Sequence, residues 1–154
     1  MKTRVLRTMV AALLLMTGGA FADGGRWSQV TEPYLVIQKA LASDQMTGVA
    51  DAARAIVRDA ADAASSKDKA DRNTAAAMKG AAEKLTAASD IKAMRERFKE
   101  LSVPYAAWVK AGHGGKDLDV YFCPMARARW VQKKGEEMTN PYYGKEMSGC
   151  GEKV

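Results

Sequence analysis

From Trp27 to about Gly112, apolar residues return every three or four positions, the spacing that keeps side chains on one face of a helix. Four segments carry the pattern. The first, from about Glu32 to Ala42, places Tyr34, Ile37 and Leu41 on one face. Pro33 falls in its first turn, where a missing N–H leaves no bond unmade. The second starts near Ser43 and Asp44 and runs to about Ala64, with Val49, Ala53, Ile56, Val57 and Ala60 inward. After a charged connector from Asp62 to Asp71, the third runs to Ala88 with Met78, Ala81, Ala82 and Leu85 on its apolar side. The fourth is the most regular: Ile91, Met94, Phe98, Leu101, Tyr105 and Trp108 recur at helical spacing, with Ser89 as its N-cap and Asp90 in the first turn. Lys92, Arg95, Arg97 and Lys99 lie on or beside the opposite face, and Pro104 is expected to kink the helix.

Short links between amphipathic helices favour antiparallel neighbours, so the expected fold is mainly α: an up-down bundle of about four helices over residues 27–112. Alanines at inward positions allow close helix approach. Met46, Met78 and Met94 sit at helical spacing and are read as core filler.

The pattern changes after Gly112-His113-Gly114-Gly115. Leu118, Val120 and Phe122 alternate with Asp119 and Tyr121, the period of a short extended segment. A short helix is expected from about Arg127 to Lys134, carrying Trp130 and Val131. Gly135, Asn140-Pro141, Gly144, Gly149 and Gly151 make the rest turn-rich. Residues 116–154 thus form a small lobe that docks on the helices.

The N-terminus changes the setting of this domain. Lys2, Arg4 and Arg7 precede an apolar run from Met9 to Met16, and Ala20-Phe21-Ala22 supplies small residues for cleavage. Residues 1–22 read as a secretory signal peptide, cut after Ala22, which puts the mature chain 23–154 in the periplasm or otherwise outside the cytoplasm. The apolar run falls short of the roughly 20 residues a membrane span needs, and no later run reaches that length. The chain has 24 basic and 18 acidic residues, a net charge of +6. Losing the three leader cations lowers the net charge to +3, without any block of like charges, so a nucleic-acid partner gains no support. No P-loop, dinucleotide fingerprint or nucleophile-base arrangement is present, and the expected protein is not an enzyme.

The remaining chemistry is sulfur. The 2 cysteines, Cys123 and Cys150, both fall in the terminal lobe, each with a methionine close in sequence, Met125 and Met147. In an extended segment Cys123 and Met125 would face one side. Met147 and Cys150 would share a face if their stretch makes a helical turn. Soft sulfur ligands select Cu(I) and Ag(I), whereas zinc prefers histidine or more cysteine. His113, on its glycine-rich loop, is a further candidate ligand, and Met138 is read as packing. The competing reading is a Cys123–Cys150 disulfide, natural for an even cysteine count in an oxidising compartment. Closing that loop would contribute roughly 3–4 kcal/mol in the chain-entropy model. A reversible redox pair is a third possibility.

At these same residues the chain resembles the DUF3347 domain family. The resemblance rests on Tyr121-Phe122-Cys123-Pro124-Met125-Ala126, Trp130, Asn140-Pro141-Tyr142-Tyr143-Gly144, Met147 and Cys150-Gly151-Glu152. The preceding helix, with Asp90-Ile91, Arg95, Phe98 and Leu101-Ser102, adds to it. It is taken to cover the whole mature chain. Such domains occur as free-standing exported proteins and fused to membrane-fusion subunits of CusB-type heavy-metal efflux pumps. The resemblance therefore implies a periplasmic helical domain associated with copper or silver, with a separate efflux component as partner. Carried onto this chain, its sulfur ligands would be Cys123, Met125, Met147 and Cys150. A short motif in which Cys-Pro-Met is followed by histidine is broken here by Ala126. The expected function is soft-metal binding for homeostasis or delivery to efflux; the alternative is a disulfide-stapled interaction module that carries no metal. In either case Trp130, Tyr142 and Tyr143 are read as the apolar wall of the lobe.

Overall fold

Four helices take up the apolar periodicity: α1 Ala22–Ala42, α2 Val49–Ala63, α3 Lys69–Thr86 and α4 Ile91–Lys110. The computed structural model describes residues 22–154, so the leader, Ala22 apart, and its cleavage lie outside the described residues. Helix α1 begins well before Glu32 and carries Pro33 in its interior. Trp27 and Val30 explain the extension. Both are buried and continue the face of Tyr34, Ile37 and Leu41 backwards at helical spacing. That face holds the helix through the one backbone bond Pro33 removes.

Helix α2 starts later than the sequence suggests because Asp44 (φ 59°) and Gly48 (φ 81°) are in the left-handed region, which ends any helix. Met46 lies in the turn between them and is 39% exposed, unlike Met78 and Met94, which fill the core as expected. Helix α3 is capped by Asp68, whose carboxylate accepts from the N–H groups of Ala70 and Asp71 at 2.6 and 3.2 Å. For α4 the cap is Asp90 rather than Ser89, accepting from Ala93 N–H at 2.8 Å. Each helix packs on the next in sequence, giving the up-down bundle. Among the described residues no helix is long and apolar enough to cross a membrane.

The terminal lobe is a three-stranded antiparallel sheet in the order β2-β1-β3, with β1 Leu118–Cys123, β2 Ala128–Lys133 and β3 Glu152–Lys153. β1 and β2 pair from Leu118↔Lys133 to Cys123↔Ala128. The expected helix at 127–134 is thus a strand. Arg127 (φ 49°) adopts a conformation no helix start tolerates, and its N–H closes a turn on the Pro124 carbonyl at 3.3 Å. Ala128, Trp130 and Gln132 are buried while Arg129 and Lys133 face solvent, a two-residue period. Val131 is buried as well, because β2 is the strand on which α4 and α1 pack, and so its alternation is masked in the sequence.

Tyr34 ties the two parts together. Its hydroxyl is 2.8 Å from Ser102 Oγ on α4 and accepts from the Val131 N–H of β2 at 3.0 Å, and its ring packs on Phe98 and Tyr105. Burial first, then the neighbouring Tyr142, pushes the phenol well above its usual pKa, so it stays a neutral linker.

Arg95, expected on the solvent face, is a second tie. Its guanidinium donates to the Leu41 carbonyl at 2.8 Å, the Pro141 carbonyl at 3.0 Å and the Asp44 carboxylate at 2.6 Å. The Arg95 bond, then the Lys145 N–H, holds the Asp44 carboxyl below its ordinary range. Gly144 (φ 59°) lies directly against this pair, where a side chain would strike both Asp44 and Arg95. Gly144→Ala is therefore expected to cost about 2 kcal/mol through backbone strain and loss of the tie. Urea denaturation checks this, with Gly149→Ala, which meets nothing within 4 Å, changing stability by less than about 0.5 kcal/mol.

Candidate functional site

Cys123 is the last residue of β1, paired with Ala128, and the hairpin turn Pro124–Arg127 begins immediately after it. The strand register turns its side chain inward, and Cys123 is fully buried. The Ala126 N–H, folded back by the turn, donates to its sulfur at 3.4 Å. Cys150 arrives from the other direction. A 3-10 turn at Gly144–Met147 is followed by a bond from Cys150 N–H to the Met147 carbonyl at 3.0 Å.

Asn140 latches this loop. It is fully buried, its amide donates to the Cys150 carbonyl at 2.6 Å and its oxygen accepts from Tyr142 N–H at 2.8 Å. Its own N–H donates to the Ser148 carbonyl at 2.9 Å, and its carbonyl accepts from Gly144 N–H at 3.0 Å. The result is a half-buried Cys150 whose sulfur lies 3.4 Å from that of Cys123, both as free thiols. A disulfide bond would bring them to about 2.05 Å.

The two thiols are not equivalent. Burial pushes Cys123 up, but the Ala126 N–H, the Cys150 thiol, the Asn140 side chain and the Met125 N–H together pull it further down, below the ordinary cysteine range. Cys150 is raised, first by its hydrogen bond to Cys123, then by burial and by the charge of Cys123. The pair therefore ionises stepwise, with a thiolate at Cys123 held by the thiol of Cys150.

A sign follows for each single variant. Cys150→Ala removes a donor to the thiolate, so the Cys123 pKa should rise and its thiolate fraction at neutral pH should fall. Cys123→Ala removes the group that raises Cys150, whose pKa should drop. Ultraviolet thiolate absorbance against pH measures both, and movement of both in the same direction would contradict the shared-proton geometry.

The other sulfur residues are placed unevenly. Met125 sits in the hairpin turn, 63% exposed, since the strand ends at Cys123 and the extended alternation expected for the two does not form. Met147 is half-buried at the end of the 3-10 turn. Met138 packs against the core, its sulfur 3.2 Å from where a Gly151 Cβ would stand.

His113 is not brought to the sulfur pair. It is exposed, stacks on Trp108 with ring centroids 5.6 Å apart, and borders a cavity at the Leu118 end of β1. Cys123 is at the opposite end of that strand, about 17 Å away at the usual rise per residue. Trp130 and Tyr142 are the buried wall of the lobe and Tyr143 is half-buried, as the sequence suggests. Asn140 was legible only as a turn former; its part as a latch depends on partners up to ten residues away. Among the described residues no group of three or more His, Cys, Asp or Glu side chains is arranged to hold a metal, which leaves the two thiols as the sulfur donors the structure brings together.

A family model described as "Protein of unknown function (DUF3347)" matches residues 30–116. The match covers most of α1, then α2 through α4, and ends just before β1. The helix residues Asp90 to Ser102 lie inside it, whereas the Tyr121–Glu152 segment lies outside the matched span. No curated protein matches, and no solved structure does.

Proposed function

The chain belongs to the DUF3347 family, and on that footing we propose that it binds one soft monovalent metal ion, Cu(I) or Ag(I), between Cys123 and Cys150. One observation carries the reading: two sulfurs 3.4 Å apart, one of them already disposed to be a thiolate. Cys123 supplies that thiolate. Cys150 releases its proton as the ion enters, so affinity falls as pH falls. The donor set suits a soft ion of low coordination number better than zinc, which takes four N or S ligands in closed sites.

Met147, on the loop that carries Cys150, would add a thioether, and exposed Met125, two residues after Cys123, is a ligand for capture at the surface. In this reading the protein is exported, performs no catalysis, and keeps or hands on the ion for an efflux component. A competition titration of the reduced full chain with Cu(I) and a chromogenic chelator tests it. One ion should be taken per chain; no uptake from the chelator would sink the proposal.

The same 3.4 Å spacing favours a second reading. On oxidation the sulfurs need to close by little more than 1 Å to bond, at about 2.05 Å. The resulting staple would fix the loop of Cys150 to the end of β1 and leave a rigid lobe for docking on an envelope partner. Substitutions at Met147 and Met125 separate the two, since a staple has no use for thioethers.

A further inference from the structure

Cys123 and Cys150 differ sharply in access. Cys123 is 0% exposed, and the hairpin turn folds back on its sulfur. Cys150 is half-buried and follows exposed Gly149, where an added Cβ would meet nothing within 4 Å. Pro124 and Met125, in the hairpin turn, are exposed as well. A reagent arriving from solvent can therefore meet Cys150 but not Cys123. The sulfur of Cys123 lies 3.4 Å behind that of Cys150.

The outcome of thiol–disulfide exchange depends on access and on which sulfur is attacked. Its second step needs another sulfur held within reach of the first. Cys123 is so held: the Ala126 N–H donates to it at 3.4 Å, a contact that stabilises negative charge on the sulfur. On the other side, the Asn140 amide fixes the Cys150 carbonyl at 2.6 Å. One thiol is open to an outside partner, and the other is shielded from it and in place.

We propose that Cys150 is a site of reversible S-thiolation by a low-molecular-weight disulfide, and that Cys123 resolves the adduct. Written with RSSR as oxidant, Cys150 loses its proton to solvent and its sulfur attacks one sulfur of RSSR. A mixed disulfide forms at Cys150, and RS⁻ leaves and is protonated. The thiolate of Cys123 then attacks the Cys150 sulfur, closes the Cys123–Cys150 bond and expels a second RS⁻. The two thiols give up two electrons and two protons, and RSSR becomes two RSH. Reduction by RSH runs backwards, with attack at Cys150 and Cys123 leaving. This chemistry belongs to the metal-free chain; it rests on the closing of the pair in the staple reading, not on metal binding.

The test treats the reduced, metal-free full chain with oxidised glutathione, quenches it in acid at intervals and maps the products by mass spectrometry. A transient adduct confined to the Cys150 peptide is expected, followed by the bridged chain, two hydrogens lighter. Cys123→Ser should retain one glutathione per chain. Folded Cys150→Ser should react at least about tenfold more slowly than Cys123→Ser, since a buried thiol reacts only when its segment opens. In urea the two variants should react alike. Mapping on the unaltered chain keeps the result decisive even if a variant folds poorly. The proposal is overturned by an adduct on Cys123 in the native chain, by no adduct at all, or by one on Cys150 that persists without bridging. Ferricyanide, an oxidant that carries no thiol, tests the staple reading separately: bridging by ferricyanide without the glutathione route would sink this inference alone.

Discussion

Trp130→Ala is expected to lower the stability of the protein by about 3–5 kcal/mol, the range for deleting a fully buried aromatic side chain. Trp130 is wholly inaccessible, stacks on Tyr121 at 5.4 Å and meets Tyr142 edge-on at 6.1 Å. Gly151, next to Cys150, sits so close to its ring that any side chain there would collide with it. The indole N–H donates to Gln132 Oε1 at 3.3 Å, and that oxygen also accepts from the Thr139 N–H. Truncation would therefore leave a void beside the chain that positions Cys150 and remove one donor from a buried amide. Chemical denaturation gives the cost, with Val103→Ala, at a site 65% exposed, as a control expected to stay within about 0.5 kcal/mol. The same variant should also lose the lowered pKa of Cys123, because that shift depends on Cys150 and Asn140 being held in place.

Cys123→Ser is the second large effect. On the metal reading it removes the thiol held below its ordinary range and should weaken Cu(I) binding by more than about a hundredfold, beyond the 10–100-fold typical of outer-shell changes. Asn140→Ala should fall within that outer-shell range. It touches no ion but releases the Cys150 carbonyl and the N–H of Tyr142, so the two sulfurs drift apart. Met147→Leu should also weaken binding if its thioether takes part. Unchanged affinity in Met147→Leu and Met125→Leu together would reduce the site to the two thiols. These measurements need reductant throughout, since a bridged pair has no thiolate to offer.

The helices were legible because their information is local. The run from Ile91 to Trp108 repeats at helical spacing, and nothing in the packing overrides it. Boundaries were less legible where a cap or a left-handed residue decides them: Asp90 rather than Ser89 caps α4, and Asp44 with Gly48 postpones α2. β2 departs from the helix its sequence suggests for a physical reason. Its identity as a strand depends on pairing with β1 and on burial that includes Val131, so Arg129-Trp130-Val131-Gln132-Lys133 shows no clean alternation to a reader of the sequence.

The candidate site was half legible. Two cysteines in one terminal segment marked where to look, but their 27-residue spacing says nothing about whether the sulfurs meet. Their approach is set by the antiparallel hairpin, the 3-10 turn and the Asn140 latch, all of them tertiary. His113 shows the converse. A histidine only ten positions before Cys123 is a candidate ligand by sequence, yet an intervening strand carries the two to opposite ends of β1. Arg95 read as a surface charge because its partners, the Leu41 and Pro141 carbonyls and Asp44, come from distant segments.

Native mass spectrometry of the chain purified without reductant after copper exposure tests the central claim most directly. The account expects a species of full thiol mass carrying one copper ion, absent from Cys123→Ser. A metal-free species two hydrogens lighter, in which Cys123 and Cys150 are bridged, would contradict it and give the site to the structural staple.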